Sequence, residues 1–204
     1  MLTTTPSPRT LLDVAKPEGT AARFATGVGA VLFGVCLLTL SARIQVPFWP
    51  VPMTMQTLVV LMLGMAYGSR MAAGTVLAYL LVGAAGFPVL AGTPERGIGL
   101  AYMMGPTGGF LLGFLFAAWA VGFLAERGFD RSLWLCALAM FIGHAVISLT
   151  GVVWLAALLG TTKAIQVGFV PFLASSVLKT ALGAVAMPLI WRVVERRSAL
   201  RRQH

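Results

Sequence analysis

The chain has 204 residues, 58% of them hydrophobic and only 10% charged, and its mean hydropathy is +0.90. A water-soluble domain carries about 25% charged residues, and its outer helices need polar faces that runs such as 59–65 and 111–118 do not offer, which excludes a compact soluble α-domain. The net charge of +9 does not point to nucleic acid, because the basic residues punctuate apolar stretches, as the positive-inside rule places them in membrane proteins.

Residues 1–23 are polar and carry Pro6, Pro8 and Pro17, so they read as a cytoplasmic tail. The apolar stretch that follows exceeds the roughly 7–15 residues of a signal-peptide core. Charge-free stretches then run over 24–42, 44–69, 71–94, 97–125 and 132–162, and 164–191 joins them if it tolerates Lys179. Crossing a hydrocarbon core of about 30 Å takes roughly 20 apolar residues, so spans are expected over 24–42, 54–69, 71–86, 107–125, 132–159 and 172–191. A basic tail, 193–204, ends the chain, and the six spans form one membrane domain over 24–192. Cys36 and Cys136 fall inside spans, where thiols act as small apolar packers.

With the N-terminus inside, Arg9, Lys16, Arg23, Arg70, Arg127, Arg131, Arg192, Arg196, Arg197, Arg201 and Arg202 lie on the inner side, and only Arg43, Arg96 and Lys163 on the outer side. The expected topology is therefore all-α with six transmembrane helices and both termini cytoplasmic, as a multi-pass protein of the cell (inner) membrane. The outer connections, 43–52, 87–106 and 160–171, are long and rich in proline and glycine. Each leads into a helix running inward: Thr54 is placed to cap the second, Thr107 in Gly105-Pro106-Thr107 the fourth, and Pro171 suits the first turn of the sixth. Three positive helix ends then face outward, a setting that favours an anion only if a specific residue joins them.

Lys179 is the residue-specific candidate, roughly two turns below Pro171 or about 12 Å along the axis. An ammonium near mid-bilayer costs about 2.5–3.5 kcal/mol and so faces the bundle interior with a partner, unless it snorkels to the surface. No Asp or Glu lies within a span, leaving Glu95 in a loop, or the carboxylate of a bound solute, as counter-charge. Ser176 and Gly183 share its helix face. Gln56 and Thr54 offer donors and acceptors at the top of the second helix, either for a ligand or for cross-linking helices. Thr107 has the same two readings, and Thr93 and Tyr102 add loop-level candidates, with Trp49 as a ring at the interface. His144 has no second His, Cys or carboxylate nearby, so a helix-to-helix hydrogen bond is expected rather than a metal site. On the first helix Ala22, Thr26, Ala30 and Gly34 repeat every four residues, as do Ala21, Ala25 and Gly29. Such stripes let another helix approach closely, from the same bundle or from a partner subunit. There is no H-E-x-x-H, G-x-S-x-G, intramembrane aspartate pair or G-x-x-x-x-G-K-[ST], so neither an enzyme nor a self-energised pump is expected.

Several blocks carry a family resemblance: Val51-Pro52-Met53-Thr54-Met55-Gln56-Thr57-Leu58, Gly86-Phe87-Pro88-Val89 running to Gly105-Pro106-Thr107-Gly108-Gly109-Phe110, Gly151-Val152-Val153-Trp154-Leu155, and Pro171-Phe172-Leu173 followed by Lys179. In this order and spacing, over about 41–185, the chain resembles the BioY family, biotin-specific S components of energy-coupling factor (ECF) transporters. The resemblance implies the six-helix S-component bundle and biotin beneath the outer loops, with Lys179 and Gln56 among its polar contacts. It also implies a transmembrane coupling subunit and two ABC-type ATPases as partners, with the small stripe Ala22, Thr26, Ala30 and Gly34 of the first helix as a docking face. No cofactor is implied; biotin enters as transported substrate. Where the family usually reads P-F-L-P-G-D-x-x-K, this chain has Ser176 in place of the aspartate. The competing reading is an autonomous carrier for biotin or another small carboxylate.

Overall fold

A computed structural model describes residues 10–15, 17–46, 50–92 and 98–201. Helices α1 (Leu11–Ala15), α2 (Thr20–Arg43), α3 (Gln56–Tyr67), α4 (Ser69–Ala84), α5 (Leu100–Met103), α6 (Gly108–Ala125), α7 (Leu133–Leu159), α8 (Thr161–Gly168) and α9 (Phe172–Arg201) follow in chain order. Between α2 and α3, strands β1 (Gln45–Val46) and β2 (Met53–Thr54) pair antiparallel, Gln45 opposite Thr54. The long helices begin and end within a few residues of the expected spans, except that α2 starts earlier, at Thr20, and α9 runs on unbroken past 192 to Arg201.

Of the long helices, α2, α6, α7 and α9 are long and apolar enough to cross a membrane. The 12 residues of α3 and the 16 of α4 reach only about 18 and 24 Å. Both are sheathed by protein: Val60, Leu61, Met65, Ala72, Val76 and Tyr79 are fully buried. The hairpin between them turns on Gly68, whose φ of 78° lies where side chains are strained. Its far side is capped in trans: the Ser69 N–H and hydroxyl donate to Glu126 Oε1 at 2.7 and 2.8 Å, placing an acid at the N-terminus of α4.

α6 is the central helix, and its glycines set how close α7 lies. A Cβ at Gly109 would overlap Trp154 Cβ and stand 2.6 Å from the Thr150 carbonyl oxygen, and one at Gly151 would collide with the Phe110 ring. The Gly-Pro-Thr-Gly-Gly run is thus a helix-contact device. Trp154 also donates from Nε1 to the Gly105 carbonyl at 3.0 Å, pinning the turn that precedes α6. Thr107 stands at the expected cap position but makes no side-chain capping bond; its carbonyl, not its hydroxyl, starts the helix by accepting from Phe110 and Leu111. Thr54 comes closer to expectation, since its hydroxyl accepts from the Gln56 N–H at 3.3 Å.

The connections expected to be irregular gather at one end and contain structure of their own. Arg43 donates to the Pro88 carbonyl, and Met55 N–H to Ile44, so the end of α2, the hairpin and the 85–92 turn form one unit. α8 interrupts 160–171 by packing Ala164 and Gly168 inward at i, i+4 spacing, a pattern too short to declare itself in sequence.

At the opposite end Asp130, fully buried in the α6–α7 connection, accepts from Trp191 Nε1 of α9 through Oδ2, with the Arg131 guanidinium 4.4 Å from the indole ring. Burial pushes the Asp130 carboxyl above its ordinary range, and the Trp191 bond offsets this only in part. The folded protein therefore disfavours the carboxylate. Stability is greatest where Asp130 is protonated and falls as pH rises from the unfolded-state pKa through the folded one. Asp130→Asn keeps an acceptor for the indole and is expected to flatten that slope in thermal melts taken from acidic to neutral pH; an unchanged slope would assign it to other groups.

Candidate functional site

The hairpin, the first turn of α3 and the upper half of α9 meet around Lys179. The residue is only 6% exposed, and its ammonium donates to the Thr54 carbonyl at 2.7 Å and to Thr57 Oγ1 at 2.9 Å. Both acceptors are neutral, and no carboxylate meets the charge among the described residues. The lysine does not snorkel; it points into the bundle. On the same face of α9, Phe172 and Ser176 precede it at i−7 and i−3.

These three residues line a small inner cavity of about 50 Å³ with Val51, Pro52, Thr54 and Thr57 below the hairpin, Phe110 and Phe114 of α6, and His144, Ile147 and Ser148 of α7. The rings of Phe110 and Phe172 stack at 6.0 Å. On one side Lys179 and Thr54 also border a space of about 400 Å³ beside Ile44, Met53 and Leu178. On the other, His144, Ser148, Phe172 and Ser176 separate the inner cavity from a groove of about 550 Å³ between α7 and α9. That groove is the largest of the three but almost wholly apolar, with Trp134, Phe141 and Val177 among its walls. Charge and hydroxyls converge in the smallest space, which is where recognition of a polar group belongs.

Of the residues singled out in sequence, Lys179, Thr54 and Ser176 converge on this cavity. Gln56 does not line it: its amide is turned behind the wall, donating to Tyr79 Oη at 2.6 Å and to the Leu38 carbonyl at 3.3 Å, and Tyr79 passes the chain on to the Val89 carbonyl at 2.9 Å. This network ties α2, α3, α4 and the 85–92 turn together. Gln56→Leu is therefore expected to cost about 1–2 kcal/mol of stability through the orphaned Leu38 and Tyr79 groups, while ligand affinity changes little; denaturation and binding measured side by side separate the two effects. Tyr102 is buried with its ring against Gly92, and Thr107 sits under the turn before α6; neither lines these cavities. Thr93, Glu95 and Trp49 lie outside the described residues.

Two contributors escaped the sequence reading, Thr57 and the aromatic wall of Phe110, Phe114 and Phe172. Thr57 sits one turn along from Thr54, the spacing that could have signalled it. His144 makes the expected cross-helix contact, its Nδ1 3.3 Å from Thr180 Oγ1 of α9, yet it also borders the cavity.

The first-helix stripe Ala22, Thr26, Ala30 and Gly34 turns toward the bundle at its far end. Ala22, Thr26 and Ala30 are half-buried and Gly34 is buried; Ala30 accepts from Tyr67 Oη at 3.0 Å, and a Cβ on Gly34 would crowd Thr75. At Ala30 and Gly34 this stripe packs within the bundle, against Tyr67 of α3 and Thr75 of α4. The exposed stripe is the other one, Ala21, Ala25 and Gly29.

A family model described as the BioY family matches residues 15–196. A probable biotin transporter BioY of Pyrococcus horikoshii is 34% identical over 158 residues, covering 78% of this chain and 91% of that one. The biotin transporter BioY of Rhizobium etli is 39% identical over 160 residues, 74% and 83% of the two chains; that of Thermotoga maritima is 36% identical over 162 residues, 78% and 93%. These relatives are transporters, not enzymes, in line with the missing catalytic sets. The crystal structure of an S-component for biotin from an ECF-type ABC transporter superposes with a TM-score of 0.72 over 85% of this chain and 95% of that one, at 22% identity, which shows a common fold. Its apolar helices make the protein a membrane protein, and the match along nearly the whole described chain leads to one conclusion: it belongs to the BioY family.

Proposed function

We propose that the protein binds biotin and serves its uptake as the substrate-binding S component of an ECF-type ABC transporter in the cell inner membrane, with six membrane-embedded helices and both termini cytoplasmic. The observation that carries this reading is Lys179: a buried ammonium held by two neutral oxygens, without a carboxylate partner among the described residues, at the edge of an aromatic-walled cavity. Such a charge is expensive in a membrane and calls for an anion. The biotin carboxylate supplies one, Thr57 and Ser176 offer hydroxyls, and Phe110, Phe114 and Phe172 face an apolar ring system. Biotin is larger than the inner cavity and extends into one of the adjoining spaces.

The coupling subunit and two ABC ATPases are proposed partners, and the exposed Ala21, Ala25, Gly29 stripe, where a Cβ on Gly29 meets nothing within 4 Å, is the face of α2 left open to one of them. Equilibrium binding of biotin and biotin methyl ester to the purified protein tests the substrate. Tight binding of the acid and weak binding of the ester is the expected result; equal affinities would sink the role given to Lys179. Biotin uptake by vesicles holding this chain alone, with no ATPase, would favour the autonomous carrier instead.

A further inference from the structure

His144 has an unused acceptor. The residue is 6% exposed, and its Nδ1 lies 3.0 Å from the Met140 carbonyl, one turn back on α7. A carbonyl oxygen can only accept, so this contact places the ring proton on Nδ1 and leaves Nε2 as a bare lone pair. Nε2 is buried and meets no partner among the described residues. The ring is held from both sides, by Met140 on its own helix and by Thr180 on α9, so it is not free to turn Nε2 elsewhere. It lines the inner cavity with Thr57, Ser148, Ser176 and Lys179.

Polar neighbours do not relieve it. Neither the Lys179 ammonium, which donates to Thr54 and Thr57, nor a hydroxyl of Thr57, Ser148 or Ser176 makes a hydrogen bond to Nε2. A buried acceptor without a donor is a standing cost, and it is relieved only by an N–H or O–H brought in from outside.

We propose that His144 Nε2 accepts a hydrogen bond from a ureido N–H of the bound substrate, making His144 the residue that selects a cyclic urea over ring systems of the same shape that lack this donor. The assignment rests on the biotin reading above. The two recognition elements then divide the ligand: Lys179 meets its acid, His144 its urea. Discrimination of this kind is steep because a site built around a polar group penalises the analogue that leaves it unpaired.

The test uses the purified full-length protein, biotin, and the two biotin analogues in which one or the other ureido N–H is replaced by oxygen. These cyclic carbamates keep the ring shape, so the wild type is expected to bind one of them on the order of 10-fold more weakly than biotin. His144→Phe is expected to lose a similar factor for biotin and to bind that carbamate no worse than it binds biotin, so that the two losses do not multiply. His144→Gln, whose Oε1 reaches the position of Nε2, should recover part of the loss, which a merely structural role would not produce. Wild-type protein that binds both carbamates as tightly as biotin overturns the assignment without recourse to any variant, as does unaltered biotin affinity in His144→Phe. Absence of biotin binding by the wild type overturns the substrate reading and this assignment with it.

Discussion

Replacing Lys179 with methionine is expected to weaken biotin binding on the order of 100-fold, the scale of a charge-assisted hydrogen bond of about 2–3 kcal/mol lost from a buried site. Methionine retains much of the lysine stem, so packing on α9 between Ser176 and Gly183 changes little. The ligand-free protein should melt near the wild-type temperature: the variant gives up the bonds to Thr54 and Thr57 but no longer buries an ammonium that lacks an ionic partner among the described residues. The decisive comparison adds the methyl ester. Wild-type protein should lose most of its affinity on esterification, whereas Lys179→Met should bind acid and ester alike, because the charge that distinguishes them is gone. An ester penalty that persists in the variant would place the carboxylate elsewhere.

Gly109→Ala should be strongly damaging to the contact between α6 and α7. The added methyl has no space: Trp154 Cβ occupies it, and the Thr150 carbonyl oxygen lies 2.6 Å away, so relief requires α6 and α7 to separate. Overpacking of this sort costs about 1–3 kcal/mol and more where backbone blocks the way. Separation would also shift Phe110 and Phe114 against His144 and Ser148 and pull Trp154 from the Gly105 carbonyl, so biotin affinity should fall together with the melting temperature. Gly29→Ala is the control, since its Cβ would meet nothing within 4 Å. Thermal unfolding in detergent, with biotin binding on the surviving folded fraction, compares the two. Equal melting temperatures for both variants would refute the account of helix packing given for the glycine-rich turn.

Much of this molecule was legible before any coordinates, and the reason is solvent. In a bilayer each spanning helix must be apolar along its whole length and its ends must be marked by charge, so interruptions such as Arg70 and Arg127 reveal where helices stop, and a lone Lys179 stands out as a cost that needs an explanation. Side-chain direction obeys no such rule. A helix apolar on all faces does not say which face meets protein, which is why spacing alone offers the Ala22, Thr26, Ala30, Gly34 stripe as a docking face although Tyr67 of α3 and Thr75 of α4 meet it at Ala30 and Gly34, while Ala21, Ala25 and Gly29 stay exposed. Gln56 and Thr54 stand two residues apart at the same helix start, yet Tyr79, distant in sequence, draws the amide of Gln56 behind the wall while Thr54 remains at the cavity. His144 became a candidate for the site only through its neighbours: the carbonyl that takes its proton lies one turn back on its own helix, but its contact with Thr180 and its place beside Lys179 and Ser176 are set by how α7 and α9 pack. Composition and spacing determined the long apolar helices to within a few residues at most of their ends, and singled out Lys179; the short helices, the run of α9 on to Arg201, and which polar groups face a ligand and which face each other were decided by tertiary packing, since those depend on contacts between residues that sequence spacing does not relate.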